Sequence, residues 1–223
     1  MNKKIELLVL CIILLTALGA CKQGAKQENS KNDIQTTQVV KIKTEIEKWK
    51  QELLKSKQIG SPCNYECLDS LVHKKWRDDN PDQMDGLPID DKKIKAVRSN
   101  FNNDNKEDLL LYFQGENCTG HNGGTKTYAK IIYSNGTSKS DLMTEIITTI
   151  QSEYNQRRET TKNLKEITIS YLETTTTIDG YHNGITGRFI LYAKDDAHCC
   201  PSYKGIYTYE LKRKNMEIEI SKK

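Results

Sequence analysis

From Asn100 to Asp108 the chain reads Asn-Phe-Asn-Asn-Asp-Asn-Lys-Glu-Asp, with side-chain oxygens recurring at alternate positions. A hard cation takes six to eight oxygens at about 2.3–2.6 Å, and a tight loop of alternating Asp and Asn wraps one. The candidate side-chain ligands are Asn100, Asn102, Asp104 and Asp108, with the backbone carbonyl of Lys106 as a further donor. Ca²⁺ is the ion such a set suits. Few of these ligands are carboxylates, so the expected affinity is weak, in the millimolar range. An EF-hand is disfavoured, because Leu111 stands where that motif places a closing Glu and a strand pattern follows. The same residues equally describe an Asx-rich hairpin turn closed by side-chain-to-backbone bonds without an ion. Both readings stay open at this level.

Two further features bear on the setting. Met1-Asn2-Lys3-Lys4 is positively charged, Leu7 to Leu18 is apolar but short for a bilayer span, and Leu18-Gly19-Ala20-Cys21 closes the stretch. This string resembles the lipobox of bacterial lipoproteins. The resemblance implies a signal peptide over residues 1–20, cleavage before Cys21, and a palmitate-bearing lipid on that cysteine. It also implies residence in the bacterial cell envelope, at the outer membrane if the cell is Gram-negative, with the membrane as a partner through the anchor. Lys22 rather than an acidic residue follows Cys21, so nothing flags inner-membrane retention.

An exported chain matures where disulfides persist. The disulfide candidates are Cys63, Cys67, Cys118, Cys199 and Cys200. An odd number leaves one over, and sequence does not fix the connectivity. A soft-metal site of His198, Cys199 and Cys200 with His121 and Cys118 is the competing arrangement. A thiol nucleophile would need a free, low-pKa cysteine beside a base. His73 reads as a surface residue and His182 as a turn residue. No G-x-S-x-G elbow, H-E-x-x-H, P-loop or dinucleotide fingerprint is present, and no catalytic residue is assigned.

The loop at Asn100, the string Glu116-Asn117-Cys118-Thr119-Gly120-His121, and the string His198-Cys199-Cys200-Pro201-Ser202 occur in one chain. The loop resembles the D-x-N-x-D-G-x-x-D calcium loops of FG-GAP-like segments, with Asn100 in place of the first Asp and Asn105 in place of the Gly. Asn tolerates the left-handed conformation that the Gly would supply. Together the three strings resemble exported or lipid-anchored bacterial proteins of uncharacterised function, over roughly residues 88–212. That resemblance implies no catalytic activity. A single copy of the loop argues against a propeller.

These residues must be positioned by the elements between them. Residues 21–37 are polar and low in apolar content, and read as a flexible tether. Val39, Ile42, Ile46, Trp49 and Leu53 recur at helical spacing, predicting an amphipathic helix to about Lys57. Tyr65 to Trp76 is a candidate second helix. Strands are expected over Ile94–Arg98, Asp108–Phe113, Lys126–Tyr133, Glu166–Leu172, Thr175–Asp179, Gly184–Lys194, Gly205–Arg213 and Met216–Ile220. Reversals are expected at Asn135-Gly136, Asp179-Gly180, Asn183-Gly184 and Lys214-Asn215. Ser138 with Asp141 reads as a capping box opening a helix with the face Leu142, Ile146, Ile150 and Tyr154.

The expected fold is α+β: a single domain over residues 38–223, with an N-terminal amphipathic helix or helices packed on a mainly antiparallel β-sheet. One further helix lies between the sheet's halves. Net charge is +4 and the signs are interleaved, which leaves no basic stripe for nucleic acid. The expected function is a lipid-anchored, non-enzymatic envelope module that binds an envelope protein or ligand, with Ca²⁺ as an accessory to the Asn100 loop. The alternatives are an envelope hydrolase or thiol-dependent enzyme using His121 and His198, and a structural protein pairing through the Val39–Leu53 stripe.

Overall fold

Apolar and polar residues alternate along Ile185–Ala193 and Tyr203–Glu210, the pattern of strands with one buried face. In the computed structural model these two strands pair with each other at the middle of a sheet. The structure describes residues 41–60, 85–117, 124–160, 164, 167–197 and 200–223. The predicted signal, tether and Tyr65–Trp76 helix lie outside the described residues. So do Cys21, Cys63, Cys67, Cys118, Cys199, His73, His121 and His198.

The chain divides into two compact units between Lys48 and Trp49. In the first, residues 41–48 are helical, and Lys48 pairs with Glu45 at 3.0 Å, one turn apart. That helix, α1, runs over residues 41–55, and its part from Trp49 onward belongs to the second unit. No described helix is long and apolar enough to cross a membrane.

The second unit holds the sheets. Strands β1 (Asp85–Gly86) and β4 (Glu116–Asn117) form a short antiparallel pair. Strands β2 (Lys95–Ser99), β3 (Asp108–Gln114), β5 (Thr127–Ile132) and β6 (Ser138–Lys139) form a four-stranded antiparallel sheet in the order β2-β3-β5-β6. Leu109 to Phe113 is apolar on both faces, as a strand covered on both sides requires. Leu110 and Tyr112 stand opposite Ile131 and Ala129 and enter the main core with them. Phe113 points the other way and meets Trp49 of α1 edge-on, with ring centroids 5.1 Å apart.

Helix α2 (Leu142–Thr160) follows, then β7 (Ile167–Thr168), a short helix α3 (Leu172–Thr175), β8 (Thr177–Tyr181), β9 (Ile185–Ala193), β10 (Tyr203–Glu210) and β11 (Asn215–Lys222). Strand β9 pairs with β10 along one side, and on the other with β8 near its start and β7 at its end. Gly205 faces Phe189 and Gly187 faces Tyr207 across that pairing, and a Cβ at either glycine would collide with the opposing ring. The predicted α2 face, Leu142, Ile146, Ile150 and Tyr154, is fully buried. Burying each such side chain stabilises the fold by about 1.5–3 kcal/mol. That burial lets the β-branched run Ile146–Ile150 stay helical against its propensity.

The α+β class is what the structure shows, with the two halves of the expected sheet formed as separate four- and five-stranded sheets. Three local expectations are corrected. Ser138 is not a helix cap, because it pairs with Ile132 in β6. Asp141 opens α2 instead, its carbonyl accepting the Glu145 N–H at 3.0 Å. Asp179-Gly180 is not a reversal but an irregularity within β8, where the register slips between Ile178 and Gly180. Glu166–Leu172 is not one strand, since only Ile167–Thr168 pairs and Leu172 begins α3.

Candidate functional site

The Asn100 loop joins β2 to β3, and Ser99 pairs with Asp108 at its base. Phe101 anchors it in the core, edge-on to Tyr181 at 5.0 Å. Asn103 and Asn105 take positive φ, 67° and 61°. The left-handed conformation expected at Asn105 is therefore present. The buried Asp108 carboxylate accepts the Phe101 N–H through Oδ2 and the Ser134 N–H through Oδ1, both at 2.8 Å. Asp104 Oδ1 accepts the Lys106 N–H at 2.8 Å, and Oδ2 accepts from the Ser134 hydroxyl and the Asn102 amide at 2.9 and 3.1 Å. Asn102 Oδ1 accepts the Asp104 N–H at 3.1 Å. These bonds hold the Asp104 carboxyl below its ordinary range, the Lys106 N–H being the largest cause. The Asn100 Oδ1 is different: it is buried with no hydrogen-bond partner among the described residues.

The predicted ligands Asn102, Asp104 and Asp108 are thus brought together around Ser134, a residue that the sequence reading did not include. Lys106 joins them through its N–H, which donates to Asp104. Both carboxylate oxygens of Asp104 and of Asp108 already accept from the protein. Among the described residues no group of three or more His, Cys, Asp or Glu side chains is placed to hold a metal ion. These hydrogen bonds close the loop by themselves, and a calcium ion would have to compete with them for Asn102, Asp104 and Asp108.

Of the cysteines, Cys200 lies among the described residues and is exposed. Its N–H donates to the Ala197 carbonyl at 2.8 Å, in the loop between β9 and β10. Asp196 fixes that loop by accepting the N–H groups of Ala193 and Ser202, at 2.6 and 2.7 Å, and the Ser202 hydroxyl. The Ser202 hydroxyl is the largest cause holding the Asp196 carboxyl below its usual range. His182 lies in the turn between β8 and β9, as expected, with its N–H bonded to the Gly184 carbonyl at 2.9 Å.

A second polar region was not anticipated. Strand β6 pairs only with Ile131 and Ile132 of β5, and beside the uncovered part of β5 lies a cleft of about 610 Å³. One wall is the end of α1, with Trp49, Glu52, Leu53 and Ser56, and the other is α2, with Met143, Thr144, Ile147, Thr148 and Gln151. Tyr128 of β5 lines it and stacks on Phe113 at 5.2 Å. The Tyr128 hydroxyl stands 3.0 Å from the Gln58 carbonyl and 3.2 Å from Asp85 Oδ2, two acceptors for one proton. Burial first, then the Asp85 charge, pushes the Tyr128 hydroxyl far up. Burial also raises Asp85, against the Lys126 N–H that donates to it at 2.8 Å. The chain matches no known family model, no curated protein and no solved structure.

The charges around the cleft are paired internally. Lys126 meets Glu173 at 3.1 Å, and the buried Lys130 ammonium meets Glu52. Beside these sign-balanced pairs the lining presents hydroxyl and amide groups. One signal for this wall was present in the sequence: Thr144, Thr148 and Gln151 recur at i, i+4 and i+7 beside the apolar face of α2. The other wall, about 95 residues earlier in the chain, is held against β3 and β5 by the packing of Trp49 on Phe113, the Lys130–Glu52 ion pair and the Tyr128 hydroxyl at the Gln58 carbonyl.

Proposed function

We propose that this chain is a lipid-anchored protein of the bacterial envelope, tethered through Cys21, whose folded part binds a ligand or partner without chemical conversion. The observation that carries the binding part is the cleft between α1, β5 and α2, within the range of roughly 300–1,000 Å³ typical of small-molecule sites. Its ionisable groups are engaged in ion pairs, which suits recognition better than proton transfer. The anchor rests on Leu18-Gly19-Ala20-Cys21. Calcium is an accessory in this reading, confined to the Asn100 loop and held weakly, with Asn100 Oδ1 as its least contested ligand.

The test has two arms in cells. Labelled fatty acid is incorporated by the parent chain and lost with Cys21→Ser, along with membrane fractionation. A photoreactive residue at position 148, on the cleft wall, yields a discrete adduct in the native envelope. Retained label in Cys21→Ser would sink the anchor, and the absence of any adduct would sink the binding reading.

A further inference from the structure

The cleft's chemistry narrows what it takes, given the binding reading above. A threonine hydroxyl inside a helix either bonds back to the carbonyl four residues earlier or turns outward, and Thr149 does the first, bonding to Glu145 at 2.8 Å. Thr144 and Thr148, one residue pair over on the same helix, make no such bond among the described residues and are exposed toward the cleft they line. Gln151 continues the row, and Ser140 extends it before the helix begins. Successive members of an i, i+4 row rise about 6 Å along a helix, close to the length of one sugar ring. Each hydroxyl or amide is both donor and acceptor, the bonding character of a ligand that is itself a row of hydroxyls.

The rest of the lining fits the same ligand. Met143, Ile147 and Ala129 give an apolar floor, and Tyr128 an aromatic edge, against which the C–H faces of a sugar ring pack. The neighbouring charges pair one to one, so the cleft carries no excess of either sign to favour a strongly charged ligand. We propose that the cleft between α1 and α2 binds a short neutral saccharide, with Thr144, Thr148 and Gln151 as its hydrogen-bonding row.

Calorimetric titration of the full-length lipidated protein, in a detergent without a sugar headgroup, tests this with three probes: an N-acetylglucosamine trimer, maltotriose and an uncharged blocked tripeptide. At least one trisaccharide binds saturably. Thr144→Val and Thr148→Val, isosteric changes at exposed positions, each weaken it roughly three- to tenfold. Thr149→Val, whose hydroxyl is spent on Glu145 and does not line the cleft, leaves the affinity unchanged. Saccharide binding indifferent to both cleft variants would overturn the site. Binding of the tripeptide alone, lost in those variants, would overturn the ligand class while keeping the binding reading. No binding of any probe, with an adduct still formed at position 148, would likewise overturn the saccharide alone; without the adduct both readings fall.

Discussion

In the Asn100–Asp108 loop both oxygens of the Asp104 and Asp108 carboxylates accept hydrogen bonds from the protein, whereas the side chains of Thr144, Thr148 and Gln151 along the cleft make none among the described residues. Both regions are small polar side chains set beside an apolar core. They differ in what their polar atoms are doing. A buried group with its bonds made is expensive to remove, because its partners are left desolvated. An exposed group bonded only to water costs little to remove and is free to exchange water for a ligand. The loop that looked like a binding site in the sequence is thus closed on itself, and the helix wall that looked bland is open. That contrast yields effects of graded size.

The largest is expected at Asp108, whose loss leaves the buried N–H of Phe101 and the part-buried N–H of Ser134 without acceptors. Asp108→Ala should cost about 3 kcal/mol, a fall in melting temperature near 10 °C, while Thr148→Val changes the melt by little. Equal stability losses from the two would break the distinction between spent and open polar groups.

Next is the ion pair under the cleft, where the Lys130 side chain is 8% exposed and Glu52 is 57% exposed. Glu52→Ala strands a buried ammonium and should cost about 1–2 kcal/mol, less than a fully buried pair because Glu52 is half in water. Lys130→Met removes the charge and keeps the volume, and should be neutral or up to about 1 kcal/mol stabilising. Chemical denaturation of both variants measures this. A loss in Lys130→Met equal to that in Glu52→Ala would show the pair itself to be stabilising.

Calcium tests the loop from the other direction. An ion present at ten times a millimolar dissociation constant adds about 1.4 kcal/mol, which corresponds to a rise of roughly 3–6 °C. Because the carboxylates already accept from the protein, the rise over a chelator control should not exceed this. It should disappear in Asn100→Ala, which removes the predicted side-chain ligand oxygen that has no hydrogen-bond partner among the described residues. A larger rise, or one that survives Asn100→Ala, would mean the loop opens to receive its ion.

The legible parts of this molecule were those where one local pattern decides the outcome. Leu142, Ile146, Ile150 and Tyr154 announce the α2 face by spacing alone, and Leu109–Phe113 announces a strand covered on both sides. Asn183-Gly184 and Lys214-Asn215 reverse the chain as their types require, with φ of 55° at Asn183 and 50° at Lys214. Ser138 misled because a Ser three residues before an Asp is also compatible with a strand end, and its pairing with Ile132 is non-local. Asp179-Gly180 misled because the same dipeptide that makes a turn also makes a slip in register. The cleft was illegible for a different reason: its walls are distant in sequence, and nothing in either wall alone says that a cavity lies between them. Ser134 was missed likewise, since it reaches the Asn100 loop only through the pairing of β3 with β5.

The smallest expected effect separates two aspartates by the sign of their response to pH. Asp104 is held below its ordinary value of 3.8, first by the Lys106 N–H, so its ionised form is favoured by folding. Its contribution is present above that value and is lost as pH falls through the lower folded one. Asp85 is raised above 3.8 by burial, so its contribution is present in acid and is lost as pH rises through its folded value. Asp104→Asn should therefore trail the parent at neutral pH and converge with it in acid below about 4. Asp85→Asn should match the parent in acid and gain on it as pH rises, since the amide oxygen still accepts the Lys126 N–H without an ionisation to oppose. Denaturation midpoints of parent and variants from pH 3 to pH 7 measure both slopes. Parallel slopes would mean that Asp85, beside the cleft, is as well satisfied as Asp104 in the loop, and the contrast between the two regions would then stop at the helix wall.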